Sequence, residues 1–255
     1  MKVDLNADLG ESFGNYKCGM DEEVIQYISS ANIACGFHAS DPLVMTQTVQ
    51  LAKEKMVAIG AHPGYPDLVG FGRRNMAVSA KEVKAMVQYQ IGAMRGICQA
   101  NQIRMQHVKP HGAMYNMAAK DEKLAMAIAE AIYEVDPNLI LLGLSGSLMN
   151  KAAKQVGLKA ADEVFADRAY QPDGTLVPRT MAGAVITDET LAVERTIQMV
   201  KEGTVIAIDG TKIPITAESI CLHGDGQKAV LFAKLLFEEL TKEGIEIKPL
   251  NQIIE

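Results

Sequence analysis

The five histidines occupy positions at which the chain could carry out chemistry, because each lies at or just past the C-terminal end of a predicted strand. His38 follows NIAC, His62 follows VAIG, His107 and His111 lie in and after QHVK, and His223 ends SICLH. Imidazole exchanges protons near neutral pH and binds metals. The strands of a β/α barrel bring their C-terminal ends to the face that carries the active site. We therefore predict that these rings gather at one rim.

The first predicted strand alternates apolar residues at positions 3, 5 and 7 with Asp4, Asn6 and Asp8. Successive side chains of a strand point to opposite faces, so the polar set should enter the barrel while the apolar set faces the helices. The same count turns His62 and Lys109 inward on their own strands. Buried polar groups are costly unless they pair with one another or meet a polar ligand. A catalytic site and a self-satisfied hydrogen-bonded network both remain open at this point.

Lys109 lies between His107 and His111 and has two interpretations. Its pKa could be depressed by polar surroundings, which would suit acid/base work. Alternatively, its ammonium group could pair with Asp4 or Asp8.

The GFGRR segment (70–74) contains candidates for binding an anion. Its backbone amides and the guanidinium groups of Arg73 and Arg74 would suit a carboxylate or a phosphate. Arg179, in a later loop, is either a second anion-binding residue or a solvated side chain. The segment lacks the preceding strand and following helix of a dinucleotide-binding motif, so that function is rejected.

The sequence contains neither a P-loop nor an HExxH motif. A divalent metal could still be held at the strand ends, because its ligands need to be neighbours only in space. Asp8, Glu11 and His62 are the first candidates for such a site, and the presence of a metal stays open.

Composition excludes several functional classes. The 255 residues carry a formal net charge of −6, with no tryptophan and no basic stripe, which argues against nucleic acid as a partner. The longest apolar run, LILLGL (139–144), is far too short to cross a bilayer, and the N-terminal segment lacks the apolar region of a signal peptide. Four cysteines without a CxxC pair are typical of a reducing compartment. We expect a cytoplasmic protein with no membrane partner.

Short β-rich runs alternate with helical patterns, which predicts parallel β/α units. Asp41, Ser79 with Glu82, Asp121, Asp188 and Asp225 mark helix starts. The segment 204–215 is predicted to be a hairpin with a two-residue turn at Asp209-Gly210, inserted in this pattern.

The aperiodic segments 61–78 and 166–187 are predicted to be lids or binding loops. We predict one α/β domain over 1–255, a seven-stranded β/α barrel whose strands are VDLNA (3–7), NIAC (32–35), VAIG (57–60), QHVK (106–109), LILLGL (139–144), DEVF (162–165) and SICLH (219–223).

Eight motifs in order along the chain closely resemble the LamB/YcsF family. They are DLNADLGES (4–12), NIACGFHASD (32–41), AHPGYPD (61–67), GFGRR (70–74), HVKPHGAMYN (107–116), EVFADRAY (163–170), LVPR (176–179) and CLHGD (221–225). The resemblance implies a barrel of the glycoside hydrolase/deacetylase type. It also implies ATP-dependent opening of 5-oxo-L-proline to L-glutamate, by an A subunit that works with the B and C subunits of 5-oxoprolinase.

With that activity as the premise, Asp8 or His62 would activate water, and Lys109, His111 or His223 would protonate the departing nitrogen. Because the chain has no recognisable phosphate-binding loop, phosphorylation by ATP is assigned to the partner subunits. Glu11 would orient the reacting groups together with Asn6 and Asn32. The predicted catalytic set is Asp8, Glu11, His38, His62, His107, Lys109, His111 and His223, and the predicted substrate-binding set is Asn6, Asn32, Arg73, Arg74, Arg168 and Arg179.

Two other functions compete with this one. A metal-dependent hydrolase or deacetylase would act without ATP, and a non-catalytic subunit would only bind the substrate. Fold alone does not choose among them, because barrels carry out many chemistries. The sequence also leaves homo-oligomerisation open.

Overall fold

A closed barrel of parallel strands forms the centre of the molecule, for which a computed structural model describes residues 1–222 and 227–254. Seven strands follow one another around the barrel in the order β1-β2-β3-β4-β5-β6-β9, and β9 pairs back with β1. The predicted seven-stranded β/α barrel is therefore confirmed. The strands are β1 (Lys2–Leu9), β2 (Ser30–Ala34), β3 (Ala58–His62), β4 (Met105–Val108), β5 (Ile140–Leu144), β6 (Lys159–Phe165), β7 (Thr204–Ile206), β8 (Lys212–Pro214), β9 (Ser219–Leu222) and β10 (Glu246–Ile247).

The helices surround this barrel and begin at the residues that the sequence marks. Asp41, Asp121 and Asp188 accept hydrogen bonds from the first backbone amides of their helices, and Ser79 forms a capping box with Glu82. The predicted cap at Asp225 lies outside the described residues. The helices are α1 (Asp21–Val24), α2 (Pro42–Glu54), α3 (Ala80–Ala100), α4 (Gly112–Ala118), α5 (Glu122–Val135), α6 (Leu148–Val156), α7 (Glu189–Glu202) and α8 (Gln227–Lys242).

The apolar core lies between the strands and the helices. Val3 and Leu5 of β1 are fully buried in it, as the alternation predicts. A separate small cluster of Ile140, Leu142 and Ala161 packs with Leu250, which lies on the turn after β10. The backbone amide of the next residue, Asn251, donates to the side chain of Gln106 near the start of β4. This cluster therefore fills the N-terminal end of the barrel, and the opposite end is left for polar side chains.

The hairpin insertion is confirmed, but its predicted turn is wrong. β7 and β8 pair antiparallel with Ile206 opposite Lys212, and the Ala207 amide donates to the Thr211 carbonyl at 2.8 Å, so residues 208–210 form a three-residue turn. The Asp209 carboxylate accepts the backbone amide of Thr211, and Gly210 has φ of +89°. The Asp-Gly pair predicts the position of the turn correctly but not its length. The hydrogen bond from the Thr211 amide to the Asp209 carboxylate stabilises a turn longer than two residues.

The two aperiodic segments run along the C-terminal face of the barrel. Segment 166–187 folds back on itself through isolated antiparallel bridges that join Arg168 to Val185 and Tyr170 to Leu176. Both segments contribute lining residues to the cavities described below. Their function as lids stays a prediction, as does the single-domain interpretation. Among the described residues, no helix is long and apolar enough to cross a membrane.

Candidate active site at the C-terminal end of the barrel

Polar side chains of β1 extend along the barrel interior toward its C-terminal end. Asp4 is fully buried and accepts hydrogen bonds from Ser29 Oγ at 2.7 Å, Ser30 Oγ at 2.6 Å and Ser219 Oγ. Burial raises the pKa of Asp4 to about 6, although the three hydroxyl groups oppose that rise. Asp4 is therefore satisfied locally and does not pair with Lys109.

Asn6 and Asn32 connect this network to Asp8. Asn32 Nδ2 donates to Asn6 Oδ1 at 2.7 Å and to Asp8 Oδ1 at 2.9 Å. Both asparagines are fully buried, and neither lines the two cavities described below. These contacts hold the Asp8 carboxylate in place, and the predicted role of Asn6 and Asn32 in substrate binding stays a prediction.

Lys109 forms a buried ion pair at the centre of the site. Its Nζ lies 2.8 Å from Glu163 Oε1, 3.1 Å from Asp8 Oδ1 and 3.0 Å from Cys221 Sγ. Burial alone would lower the pKa of Lys109, but Asp8, Cys221 and Glu163 raise it well above its usual range. The prediction of a depressed pKa is wrong, the pairing with Asp8 is confirmed, and the pairing with Asp4 is wrong. Lys109 therefore supplies a fixed positive charge.

Glu163 is a member of the site that sequence reasoning missed. Its side chain is fully buried, and it accepts hydrogen bonds from Asn6 Nδ2 at 3.0 Å and from the Tyr115 hydroxyl group at 2.6 Å. The signal lies in the alternation of β6, which turns Ala161, Glu163 and Phe165 to the same face. A period-two count along β6, like the count along β1, finds this residue.

Three histidines meet beside Asp8. The rings of His38 and His111 stack with centroids 3.7 Å apart, and the His62 ring lies perpendicular to both. His62 Nε2 is 2.9 Å from His111 Nδ1 and 3.3 Å from Asp8 Oδ2. Glu11 Oε1 lies 3.7 Å from His38 Nε2 and 4.0 Å from His111 Nδ1. Residues from four separate segments of the chain therefore converge at one point.

Burial keeps two of these rings neutral near pH 7. It lowers the pKa of His111 to about 3, with His62 adding to the effect, and it lowers the pKa of His38 well below its usual range, with His111 adding there. An imidazole buried among other imidazoles loses hydration that its charged form needs. These two rings are therefore neutral groups with lone pairs for a metal ion or a hydrogen bond, and near pH 7 they neither take up nor release a proton readily.

The turn at residues 71–72 positions His111. Phe71 has φ of +53° and Gly72 has φ of +62°, and the Phe71 carbonyl accepts a hydrogen bond from His111 Nε2 at 2.8 Å. A Cβ atom at Gly72 would lie 2.7 Å from His38 Cβ and 2.8 Å from His111 Cδ2. Only glycine lets this loop lie against both imidazoles.

His107 lies one layer deeper than the predicted rim. Its Nε2 donates to Asn32 Oδ1 at 2.7 Å, and a Cβ atom at Gly60 would come within 2.1 Å of the same nitrogen. Burial lowers the pKa of His107 to about 3, with Lys109 adding to the effect. The structure therefore brings His38, His62 and His111 together at the rim and places His107 below them. His223 lies outside the described residues.

Two cavities meet at Asp8. The larger, of about 900 Å³, is bordered by His62, Lys109 and His111, and the smaller, of about 440 Å³, by Glu11. Both volumes lie in the range of small-molecule sites. Asp8, Arg73 and Arg179 line both cavities, and the Asp8 side chain is 12% exposed. Asp8 is thus a carboxylate held by Lys109 and still open to a ligand.

The four arginines predicted to bind substrate differ in their surroundings. Arg73 and Arg179 are exposed at the wall that the cavities share, whereas Arg74 is held by Asp67. Arg168 is buried and donates to the carbonyl groups of Val177 at 2.6 Å and Ala184 at 3.2 Å, which braces the loop at 166–187. Burial lowers the pKa of Arg168 to about 10, with Arg179 adding to the effect. Arg73 and Arg179 therefore fit an incoming carboxylate best.

The GFGRR backbone does not offer the free amides predicted from its glycines. The amides of Gly70 and Gly72 donate to Asp67, that of Phe71 to the Leu68 carbonyl, and that of Arg73 to the Gly70 carbonyl. That prediction is wrong because the loop folds into consecutive turns that use its own donors. The Phe71 carbonyl group faces the site instead, where it accepts a hydrogen bond from His111.

Known proteins resemble this chain over nearly its whole length. The sequence profile of the LamB/YcsF family matches residues 3–255. A Clostridium beijerinckii protein, named as the A subunit of 5-oxoprolinase, is 67% identical over 252 residues, which are 99% of both chains. An Alkaliphilus metalliredigens protein of the same name is 58% identical, covering 100% of this chain and 99% of that one. The crystal structure of a lactam utilization protein from Thermus thermophilus superposes with a TM-score of 0.92 at 46% identity, covering 97% and 99%.

Proposed function

Because the chain belongs to the LamB/YcsF family, we propose that it opens the ring of 5-oxo-L-proline to give L-glutamate, as one component of an ATP-consuming enzyme. The likeness to relatives named as the A subunit of 5-oxoprolinase supports the substrate. One observation carries the assignment of the site: Asp8, where the cavities meet, contacts both the Lys109 ammonium group and His62 Nε2. A carboxylate between a fixed positive charge and an imidazole can take a proton from water.

The proposed chemistry starts from an unactivated amide. Transfer of the ATP γ-phosphoryl group to the lactam oxygen, with loss of the lactam N–H proton, would give a phosphorylated imidate and ADP. Water then adds to the ring carbon, the C–N bond breaks, and both protons of that water end on the nitrogen, which leaves as an amine. A second water releases phosphate from the resulting acyl phosphate. We assign the phosphoryl transfer to the B and C partner subunits, since this sequence has no P-loop.

Within this scheme, the Asp8 carboxylate would carry the proton. It takes a proton from the attacking water and returns one to the departing nitrogen. The raised pKa of Lys109 makes that side chain a poor acid, so we assign it to orienting Asp8 and balancing negative charge. His111 is not the acid either, because burial lowers its pKa to about 3 and leaves the ring neutral. Arg73 and Arg179 would bind the substrate carboxylate.

The test is reconstitution of this chain with its B and C partners, 5-oxoproline and ATP, with glutamate and ADP both quantified. We expect the two products in equal amounts, and only when all three chains are present. Glutamate formation by the partners alone would show that this chain is not the hydrolytic component. ADP formation without glutamate in the full mixture would also contradict the proposal.

A second candidate function is a metal-dependent amide hydrolase that needs no ATP. The convergence of Glu11, His38, His62 and His111 favours it, because such a set can bind a metal that activates water. Glutamate or acetate release from simple amides by the isolated chain, with added Zn²⁺ and without ATP, would support it. Dependence of every turnover on ATP would exclude it.

We also propose that the enzyme acts in the cytoplasm. Its substrate ATP is available there, and the four cysteines are free thiols, which suits a reducing compartment. Fractionation of cells that express the tagged chain would test this, and recovery outside the cytoplasm would contradict it.

A further inference from the structure

We infer that Glu11, His38, His62 and His111 bind one divalent transition-metal ion, of the class of Zn²⁺. Each side chain offers one ligand atom, and these atoms all lie within 4.8 Å of one another. The three histidines are buried, and Glu11 is partly accessible from the smaller cavity. The inference goes beyond the lactam hydrolysis proposed above, which does not require a metal, and it stands on the geometry alone.

The contact between His62 and His111 is the first argument. His62 Nδ1 lies 2.7 Å from the Lys109 carbonyl oxygen, and His111 Nε2 lies 2.8 Å from the Phe71 carbonyl oxygen. A carbonyl group only accepts, so both of these nitrogens carry hydrogen. In the neutral rings, His62 Nε2 and His111 Nδ1 then face each other with lone pairs at 2.9 Å. Two lone pairs at that distance repel unless a cation lies against them.

The same hydrogen bonds are those that metal-binding histidines make. A histidine that binds a metal through one nitrogen usually donates from the other to a carbonyl or carboxylate, which fixes the tautomer and the ring. Both His62 and His111 have this arrangement, with backbone carbonyl groups from Lys109 and Phe71. The two free lone pairs are thereby aimed at one point.

His38 supplies an independent observation. It is fully buried, yet among the described residues neither of its ring nitrogens has a hydrogen-bond partner. Its Nε2 faces Glu11 Oε1 at 3.7 Å, beyond hydrogen-bonding distance. Buried polar atoms are rarely left in this state, because they lose their hydration without compensation. An ion between His38 and Glu11 would satisfy this nitrogen.

The spacing fits a single small ion. Two nitrogens bound to one ion at about 2.0–2.1 Å lie about 2.8–3.4 Å apart for angles between about 90° and 109°. The observed separation of 2.9 Å between His62 Nε2 and His111 Nδ1 falls in this range. The widest spacing in the cluster, at up to 4.8 Å, exceeds the roughly 4.2 Å that two such ligands can span. Bringing the most widely spaced pair to about 3.4 Å takes a combined movement of about 1.4 Å, shared between two side chains.

The ligand types select the class of metal. Three imidazoles and one carboxylate suit Zn²⁺ and the neighbouring first-row ions, whereas Mg²⁺ and Ca²⁺ prefer oxygen ligands alone. The sequence-based set of Asp8, Glu11 and His62 is thereby revised. Asp8 contacts His62 but is engaged by Lys109 and Asn32, and His38 and His111 take its place.

The rival explanation is a proton. If His62 were an imidazolium, its Nε2–H could be shared between His111 Nδ1 and Asp8 Oδ2, which lies 3.3 Å away. That arrangement would relieve the lone-pair repulsion without a metal. It would leave His38 without a partner, however, and it would give the purified chain no affinity for Zn²⁺ at this site. Metal binding therefore separates the two explanations.

The experiment measures metal content and affinity in the full-length chain without substrate. After chelation and dialysis against Zn²⁺, we expect one ion per chain by elemental analysis, and titration with Co²⁺ should give the visible absorption of a nitrogen-bound ion. Glu11→Gln should weaken binding at least about 100-fold. The control is Glu189→Gln, which removes a carboxylate that lines the same smaller cavity but is not in the cluster, and it should bind as the parent chain does.

Absence of Zn²⁺ uptake by the parent chain would overturn the inference, and so would equal affinity in the two variants. Since a substitution at buried His38 could prevent folding, X-ray absorption of the Zn²⁺-loaded parent chain provides the second measurement. We expect scattering from three imidazoles, and fewer than two would contradict the site. Neither measurement uses turnover. Absence of metal binding would therefore leave the proposed lactam hydrolysis standing, and absence of lactam hydrolysis would leave the metal site standing.

Discussion

The buried ion pair between Lys109 and Glu163 gives the sharpest prediction about stability. Lys109 Nζ lies 2.8 Å from Glu163 Oε1, and the two side chains are 3% and 0% exposed. In Lys109→Met, Glu163 keeps the Tyr115 and Asn6 donors but loses its only cation among the described residues. Removing one partner of a buried pair costs about 3–5 kcal/mol, because the remaining charge stays desolvated. We expect the free energy of unfolding to fall by that amount.

The loss should be the same at every pH between 7 and 9. The pKa of Lys109 is raised well above its usual value of 10.5 by Asp8, Cys221 and Glu163, which outweigh burial. A group whose pKa is raised on folding contributes its full stabilisation below the unfolded pKa, and loses it only as the pH rises through the folded value. Both the unfolded and the folded pKa of Lys109 lie above pH 9, so its stabilisation is fully present over the whole range of the measurement.

Urea denaturation followed by far-UV circular dichroism is the suitable assay, because the chain has no tryptophan. The double variant Lys109→Met/Glu163→Gln should cost at least about 1 kcal/mol less than the sum of the single changes, since neither charge is then left alone. Lys84→Met is the control, because Lys84 pairs with Glu130 and Glu134 at the surface and should matter little. Single changes that add within about 0.5 kcal/mol would refute the coupling of this pair.

Three further predictions concern activity and acid stability. In the reconstituted enzyme, Asp8→Asn should lower the rate of glutamate formation by about 10²–10⁴-fold while the chain stays folded, and near-normal turnover would remove Asp8 as the base. Arg73→Ala should raise KM for 5-oxoproline about tenfold or more, whereas Arg74→Ala, whose side chain is held by Asp67, should change it little; equal effects would contradict this assignment. Burial lowers the pKa of His107 from 6.5 to about 3. Between these two values the unfolded chain binds a proton at this ring and the folded chain does not, so stability falls as the pH is lowered from about 6.5 to about 3. The slope attributable to this ring is up to about 1.4 kcal/mol per pH unit, and denaturation of His107→Gln at several pH values should show it missing.

The fold could be predicted from the sequence because its signals are local. The alternation in β1 distinguishes Val3 and Leu5 from Asp4 and Asn6 without any knowledge of the partner strands. Helix starts such as Asp41 depend on a side chain and two amides within three residues. The turn of the β7–β8 hairpin was predicted less well, because its length depends on the register of both strands.

The site could be predicted only in part, since its electrostatics depend on contacts between distant segments. Strand ends place His62 and His111 together, but nothing local indicates that Lys109 meets Glu163, 54 positions further along the chain. A buried lysine without such a partner is expected to have a lowered pKa, whereas the pKa of Lys109 is raised. The donors of GFGRR were misjudged for a related reason, because glycines show where a backbone can turn but not which acceptors it meets.

The balance of charge connects the proposed metal with the proposed substrate. Asp8, Glu11 and Glu163 bring three carboxylates to the site, and Lys109 brings one ammonium group, while His38 and His111 are neutral near pH 7. An anionic substrate entering this environment would be repelled, because charges interact strongly where water is excluded. A dication beside Glu11 would offset the excess, and Arg73 and Arg179 would then be left to bind the substrate carboxylate at the shared wall. Substrate affinity should therefore rise when Zn²⁺ is bound, which binding of 5-oxoproline to the metal-loaded and chelated chains would measure.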